Sequence, residues 1–207
     1  MIFPALYNGP VQYYAWLVRE EEIILEQFDS YIKQTYRNRC RISGANGALT
    51  LSIPVKRVRG RKTLFRDIRI DYDMPWHKVH WKSLVAAYAA SPFFEYFMHD
   101  LAGFYEKKFE FLVELNRGLL ETTFQALGVS IPVKMSEEFQ AISGNRDPRQ
   151  FLHPKLDPRE ADPAFSVIPY HQVFEEKHGF QSNLSILDLL FNEGPGSLSL
   201  LKNSLKI

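Results

Sequence analysis

Residues 1–28 read MIFPALYNGPVQYYAWLVREEEIILEQF, and the fold is decided there. The apolar run 1–7 predicts a short buried strand, and Asn8-Gly9-Pro10 predicts a turn. Residues 10–22 predict a helix, with Val11, Tyr14, Leu17 and Val18 on one face and Pro10 suited to the first turn. Ile23 to Phe28 predicts a second strand. Strand, turn, helix and strand in so short a span make a βαβ unit, which seeds a parallel sheet. The expected class is therefore α/β, a mostly parallel sheet begun by this unit, with further elements packed on it. Ligands of such units gather where the first strand hands over to its helix, near free backbone N–H groups. Tyr7, Asn8 and Gly9 occupy that handover, and neither a GxGxxG nor a Walker pattern accompanies them.

The stretch from Lys33 to Lys62 comes next. Nine of its 30 residues are Lys or Arg and none is Asp or Glu. The whole chain carries +1, so the remaining residues together carry −8. Charge concentrated in this way points to an anionic ligand or partner. Asn46-Gly47 predicts a two-residue hairpin turn, and Leu49, Leu51, Ile53 and Val55 alternate with polar residues after it, one face expected to be buried. Before the turn, Arg37, Arg39 and Arg41 alternate with Asn38, Cys40 and Ile42. On a strand the three guanidiniums line one face, roughly 6–7 Å apart, and each can grip a carboxylate or phosphate bidentately. A solvated face paired with acidic residues from elsewhere is the competing reading. The segment Lys56–Lys62 reads equally as a basic loop closing over a small phosphorylated or carboxylated ligand.

Downstream, Asp67–Tyr72 alternates and predicts another strand, and the portion from about 75 to 128 predicts helices. Pro75–Ala90 has helical spacing, Ser91-Pro92 breaks it, and Phe93–Tyr105 is dense in aromatics that suit a core. Phe109–Leu127 predicts a third helix ended by Gly128, and Ile131–Lys134 a further strand. Residues 144–169 form a proline-punctuated, loop-rich segment. Asn183 or Ser185 then caps a short helix carrying Leu187, Leu189, Leu190 and Phe191, and Leu198–Leu205 adds a last amphipathic turn or two.

Composition bounds the rest. At 207 residues, 45% hydrophobic and 24% charged, the expectation is one globular domain over 1–207 with a sizeable core. The single cysteine, Cys40, forms no internal disulfide, no apolar run is long enough to span a membrane, and the cytoplasm is the default location. Cys40 is expected to pack inward, away from Arg39 and Arg41. His77 and His80 share a helical face, but no HExxH or cysteine pair completes a metal site, so no metal is expected. His80 is instead a candidate general acid or base, or a core hydrogen-bonding group between Trp76 and Trp81. Asp188 lies on an apolar helix with Asn192 at i+4, so its carboxylate needs a partner or a cleft. An arginine of the basic hairpin is the expected partner. No nucleic-acid-binding motif accompanies the basic stretch, so nucleic acid is disfavoured as a ligand.

Three runs resemble the WbqC-like protein family: Lys33-Gln34-Thr35-Tyr36-Arg37-Asn38-Arg39; His80-Trp81-Lys82-Ser83-Leu84 with Tyr88 and Pro92-Phe93-Phe94; and Asn183 to Asn192 followed by Gly194-Pro195. The resemblance implies a bacterial surface-polysaccharide context of the O-antigen type, with suggested transfer of glycine or another amino acid to a sugar. Many members begin with His-Gln-Pro, where this chain has Phe3-Pro4-Ala5, so any role of that histidine is absent here or carried elsewhere. Together these readings predict an enzyme acting on a nucleotide-linked or phosphorylated sugar, by acyl or aminoacyl transfer, with no cofactor indicated. His80 and Asp188 are the proton-handling candidates. Tyr7, Asn8, Gln34, Arg37, Asn38, Arg39, Lys56, Asn183 and Asn192 are the substrate-binding candidates. A non-catalytic protein that docks an acidic partner through the basic hairpin is the alternative, and an RNA binder a weaker one.

Overall fold

The structure, a computed structural model, describes residues 1–56, 63–142, 144 and 147–206. The βαβ unit forms as expected. Strand β1 (Ile2–Pro4), helix α1 (Val11–Leu17) and strand β2 (Ile23–Glu26) place β1 parallel to β2 in the register Phe3 to Leu25. The chain returns much later as β5 (Val133–Met135), parallel to β2, so the sheet order is β1-β2-β5. Between them lie the antiparallel hairpin β3 (Arg39–Gly44) and β4 (Gly47–Ser52) and the helices α2 (Trp76–Tyr88), α3 (Phe94–Glu106) and α4 (Leu112–Ala126). The protein is α/β: a parallel sheet, an antiparallel hairpin and helices.

Helix α1 differs from its expected amphipathic form, because all seven of its residues are buried. Its Tyr13 hydroxyl donates to the Pro4 carbonyl at 2.8 Å, fastening it to β1. Its other side meets the loop-rich segment, where the Gln12 amide and the Trp16 indole N–H both donate to Asp162. That segment carries two short helices, α5 (Pro148–Phe151) and α6 (Pro158–Ala161), each opened by an Asp-Pro pair whose aspartate accepts a backbone N–H. It is therefore a wall of the core as well as a connection.

The C-terminal part closes the molecule. After α7 (Glu175–His178) come α8 (Ile186–Glu193) and α9 (Ser197–Asn203). Ser185 caps α8 by accepting from Leu187 N–H, as the sequence allows. Its own N–H donates to Arg41 O at 2.7 Å, and its hydroxyl to Asn8 O at 2.8 Å. Asn183 instead caps α1, its Oδ1 accepting from Gln12 N–H at 2.9 Å. Both Asn8 and Asn183 hold positive φ, a conformation asparagine tolerates better than most residues. Two joints distant in sequence are thereby locked back to back.

The hairpin departs from expectation at its turn. Gly44 pairs with Gly47, so the loop residues are Ala45 and Asn46. Asn46 does not take positive φ and Gly47 does, at 102°, so the loop is not the type I′ turn that Asn46-Gly47 predicts. Leu51 and Ile53 are buried as expected, but Leu49, near the tip, is exposed, because the tip projects beyond the core. Residues 67–72 are not a strand. A 3-10 turn (Phe65–Asp67) leads into isolated bridges from Arg69 to Phe111 and from Ile70 to Val55. The alternation there arises because one side of this extended segment faces the core. The basic loop expected over Lys56–Lys62 lies, from Arg57 onward, outside the described residues.

Candidate functional site

The carboxyl ends of parallel strands in an open sheet are where such folds bind ligands, since the chain leaves the sheet there and opens a crevice. A cleft of about 300 Å³ occupies that place here. Pro4 ends β1 and Leu6 follows it, Asp29 and Ser30 follow β2, and Phe139 and Ile142 follow β5. Arg149, Leu152 and His153 close it from α5 and the residues after it. Its size is at the lower end of small-molecule sites. A larger hollow of about 740 Å³ lies on the sheet beside Glu22, Lys134, Glu137 and Glu138. Its acidic lining, with Lys134 already paired to Glu22, does not suit the anion that the sequence points to.

The floor of the cleft is an ion-pair network. Arg37 Nη2 reaches Asp29 Oδ2 at 2.6 Å, and its Nη1 donates to Ser30 O at 3.2 Å. Arg149 reaches Asp147 at 2.6 Å and lies 3.8 Å from Glu26, whose side chain is fully buried. This corrects the expectation for Arg37. It does not share the hairpin face with Arg39 and Arg41, since β3 starts only at Arg39. Its guanidinium is buried over the Phe65 ring, 5.1 Å from the centroid, and Asp29, three residues beyond β2's end, neutralises it. Burial lowers its pKa and the Asp29 charge opposes that shift. The basic stretch lacks internal acids, but Asp29 stands just before it.

A second polar centre lies in the core. Tyr7 hydroxyl lies 2.8 Å from His80 Nδ1 and 3.2 Å from Tyr105 hydroxyl, which accepts from Asn8 Nδ2 at 3.1 Å. Asn8 and Tyr7 both donate to Tyr105, and the His80 tautomer sets the direction of the bond between Tyr7 and the imidazole. Burial pushes the His80 imidazole down to about 4, with the Ser52 backbone working the other way. His80 packs on Trp76, ring centroids 5.0 Å apart, and Trp81 packs on Tyr105. Cys40 is buried in the same region, its thiol pushed up by desolvation, as inward packing requires. Among the described residues, no three His, Cys, Asp or Glu side chains gather as metal ligands.

Asp188 forms a third centre, and its partner is not the arginine the sequence suggested. Oδ1 accepts from Tyr88 hydroxyl at 2.8 Å, and Oδ2 accepts from Tyr170 hydroxyl at 2.7 Å and Gln172 Nε2 at 2.9 Å. Three neutral donors replace the cation because the hairpin arginines lie on the opposite face of β3 from the core. Burial raises the Asp188 pKa and the three donors oppose it. Asn192 sits one turn later and donates to Asp188 O.

The remaining candidates are dispersed. Asn38 donates to Ile53 O inside the hairpin. Gln34 is exposed at a turn with φ 64°, and the Lys56 side chain is exposed beside the bridge from Val55 to Ile70. The structure thus brings Arg37 into the cleft, while Gln34, Lys56, His80 and Asp188 are not among its lining residues. Asp29, Glu26 and Arg149 were missed. The carboxyl-end rule applied to β2 would have reached Asp29, and Asp147-Pro148 as a helix start would have drawn notice to Arg149.

An α/β protein with a charged cleft at the carboxyl ends of its parallel strands is the class that fold and site define. The model of the WbqC-like protein family matches residues 7–156, and the chain belongs to that family. It is also similar to Uncharacterized protein Rv1507c of Mycobacterium tuberculosis, with 29% identity over 205 residues and 88% of each chain covered. No solved structure matches the chain. The matched span contains the Tyr7–His80 row and the cleft except Pro4 and Leu6, whereas Asp188, Asn183 and Asn192 lie beyond it. Among the described residues, no helix is long and apolar enough to cross a membrane.

Proposed function

We propose that the chain is a single-domain, cytoplasmic enzyme of bacterial surface-polysaccharide biosynthesis that modifies a nucleotide-linked or phosphorylated sugar by acyl or aminoacyl transfer. The observation that carries this reading is the cleft itself, placed where the basic stretch meets the carboxyl ends of β1 and β2. Its rim is apolar, with Ile32, Phe139 and Ile142 exposed around a charged floor. That combination suits a donor with an uncharged acyl part and an anionic part. In this reading the exposed Gln34 and Lys56 and the half-buried Arg39 supply further polar contacts from the basic stretch, while Arg37 shapes the floor through Asp29. His153 lines the cleft with its pKa lowered by burial and by Lys155 and Arg39, so it is neutral near pH 7 and able to take a proton. In this reading His80 and Asp188, both sealed in the core, hold the elements that frame the site. A core running from Phe3 to Leu205 supports one domain.

A thermal-shift screen of nucleotide sugars and of acyl and aminoacyl donors tests it. A ligand at 100 times its Kd adds about 2.7 kcal/mol, which raises the midpoint by roughly 2–4 °C in a chain of this size. The expected result is a rise with at least one sugar nucleotide and one donor, and loss of turnover in His153→Ala with binding retained. No shift with any of them overturns the reading. Capture of a purified acidic protein in their place supports the docking alternative.

A further inference from the structure

Exposed large apolar side chains are ordinary when they stand singly, and a gathered set marks a binding surface. Three gather in the cleft. Ile32, Phe139 and Ile142 are 62%, 58% and 54% exposed, and all three line it. Pro4, Leu6 and Leu152 are buried and line it too. The charged groups of the lining are already engaged with one another. Arg37 is paired with Asp29 and also donates to Ser30 O. Arg149 uses four of its five N–H groups, two on Asp147, one on Gln140 O at 2.5 Å and one on Ala141 O at 3.1 Å. Glu26 accepts from Gln140 N–H at 2.9 Å. The backbone between Phe139 and Ile142 is thus held down by ionic groups on both its N–H and its C=O side. Across the cleft the Thr35 hydroxyl donates to Ile32 O at 3.1 Å. The polar groups hold the wall, and the apolar side chains are what the wall presents.

We propose that the cleft takes the hydrocarbon chain of a medium-length fatty acyl donor, and that Ile32, Phe139 and Ile142 set the chain length it accepts. This rests on the function proposed above and deepens it: of acyl and aminoacyl transfer it selects acyl. An ammonium or a phosphate inside the cleft would meet only cations and carboxylates that already neutralise each other, so the charged part of the donor stays outside. Since a cavity of about 150 Å³ holds one benzene ring, the cleft's volume of about 300 Å³ accommodates a chain of roughly ten carbons.

The test titrates the full chain by calorimetry with straight-chain alcohols from butanol to dodecanol, and with glycinamide and inorganic phosphate beside them. Affinity is expected to rise about fourfold per methylene and to level off near decanol. Glycinamide and phosphate are expected not to bind. Phe139→Ala and Ile142→Ala change exposed positions, so each is expected to keep the ligand-free unfolding midpoint and to lose roughly tenfold in decanol affinity. Ile142→Trp is expected to move the levelling-off to shorter alcohols, a readout that loss of structure would not give. Absence of any rise with chain length in the native chain overturns the proposal. So does binding of glycinamide or phosphate more tightly than decanol, and so does native decanol affinity in both alanine variants. A response to sugar nucleotides or aminoacyl donors without alcohol binding removes this subsite and leaves the proposed enzyme standing. Chain-length-dependent binding that the alanine variants lose, with no response in the donor screen, does the opposite.

Discussion

Arg37 shows how burial changes what a charged side chain contributes. Exposed, it would add little to stability, but its pair with Asp29 has side chains only 9% and 20% exposed. Removing one partner of such a pair leaves the other desolvated and uncompensated, at a cost of roughly 3 kcal/mol. Arg37→Ala is therefore expected to lower the urea midpoint sharply, and Arg37→Ala with Asp29→Ala to cost less than the two singles added together. Additive losses in that cycle would mean the two groups do not couple. His80 and Asp188 titrate with opposite signs. The folded His80 pKa, about 4, lies below the ordinary histidine value of 6.5, so its contribution is present above pH 6.5 and lost as pH falls toward 4, up to about 3 kcal/mol. The Asp188 pKa is raised above 3.8, so its contribution is greatest below that pH and declines as pH rises through the folded value. Chemical denaturation from pH 7 to pH 4 should show a fall that is flattened in His80→Gln and steepened in Asp188→Asn. Identical slopes in all three chains would refute the assignment of either titration.

At the scale of elements, helix α8 depends on one hydroxyl. Ser185 accepts from Leu187 N–H to cap the helix and donates to Asn8 O in the first strand–helix joint. A cap alone is worth about 1 kcal/mol, and the second bond leaves Asn8 O unpaired when it goes. Ser185→Ala is thus expected to cost about 2 kcal/mol by urea denaturation, and Ser185→Thr much less. Equal losses in the two variants would show that packing around the side chain matters here, not its hydroxyl. The cap itself was legible from Ser185 preceding an apolar run. Its second bond was not, because nothing in the order of residues places residue 185 against residue 8. The hairpin errs the other way. Asn46-Gly47 is a strong local signal, yet the strands chose the register that puts Cys40 opposite Leu51 and buries both. The preferred turn would set Cys40 opposite Ile53, which shares the buried face with Leu51, so the two registers bury the same face and differ in the turn alone.

For the whole molecule, the family match stops at residue 156 while the core runs on to Leu205. Ile186, Leu187, Leu189, Leu190 and Phe191 are fully buried. At about 1.5–3 kcal/mol for each such side chain, α8 contributes on the order of 10 kcal/mol, comparable to the net stability of an ordinary domain. A chain cut after residue 156 is therefore expected to lack a cooperative thermal transition, despite containing the entire matched segment and cleft. A sharp transition in that fragment would divide the molecule into two units.

The sequence by itself determined the α/β class, the order of the principal elements, the α8 cap and the family, because each is written in short-range periodicity or in contiguous residues. It also identified the basic stretch, since charge counts survive folding. Only the tertiary structure decided which cations are free. Arg37 is neutralised by Asp29 because the chain turns back just past the end of β2, and Asp188 meets Tyr88, Tyr170 and Gln172 in place of an arginine. The physical reason is that pairing and desolvation are set by distances across the sheet and between distant joints, and residue order does not encode those distances locally.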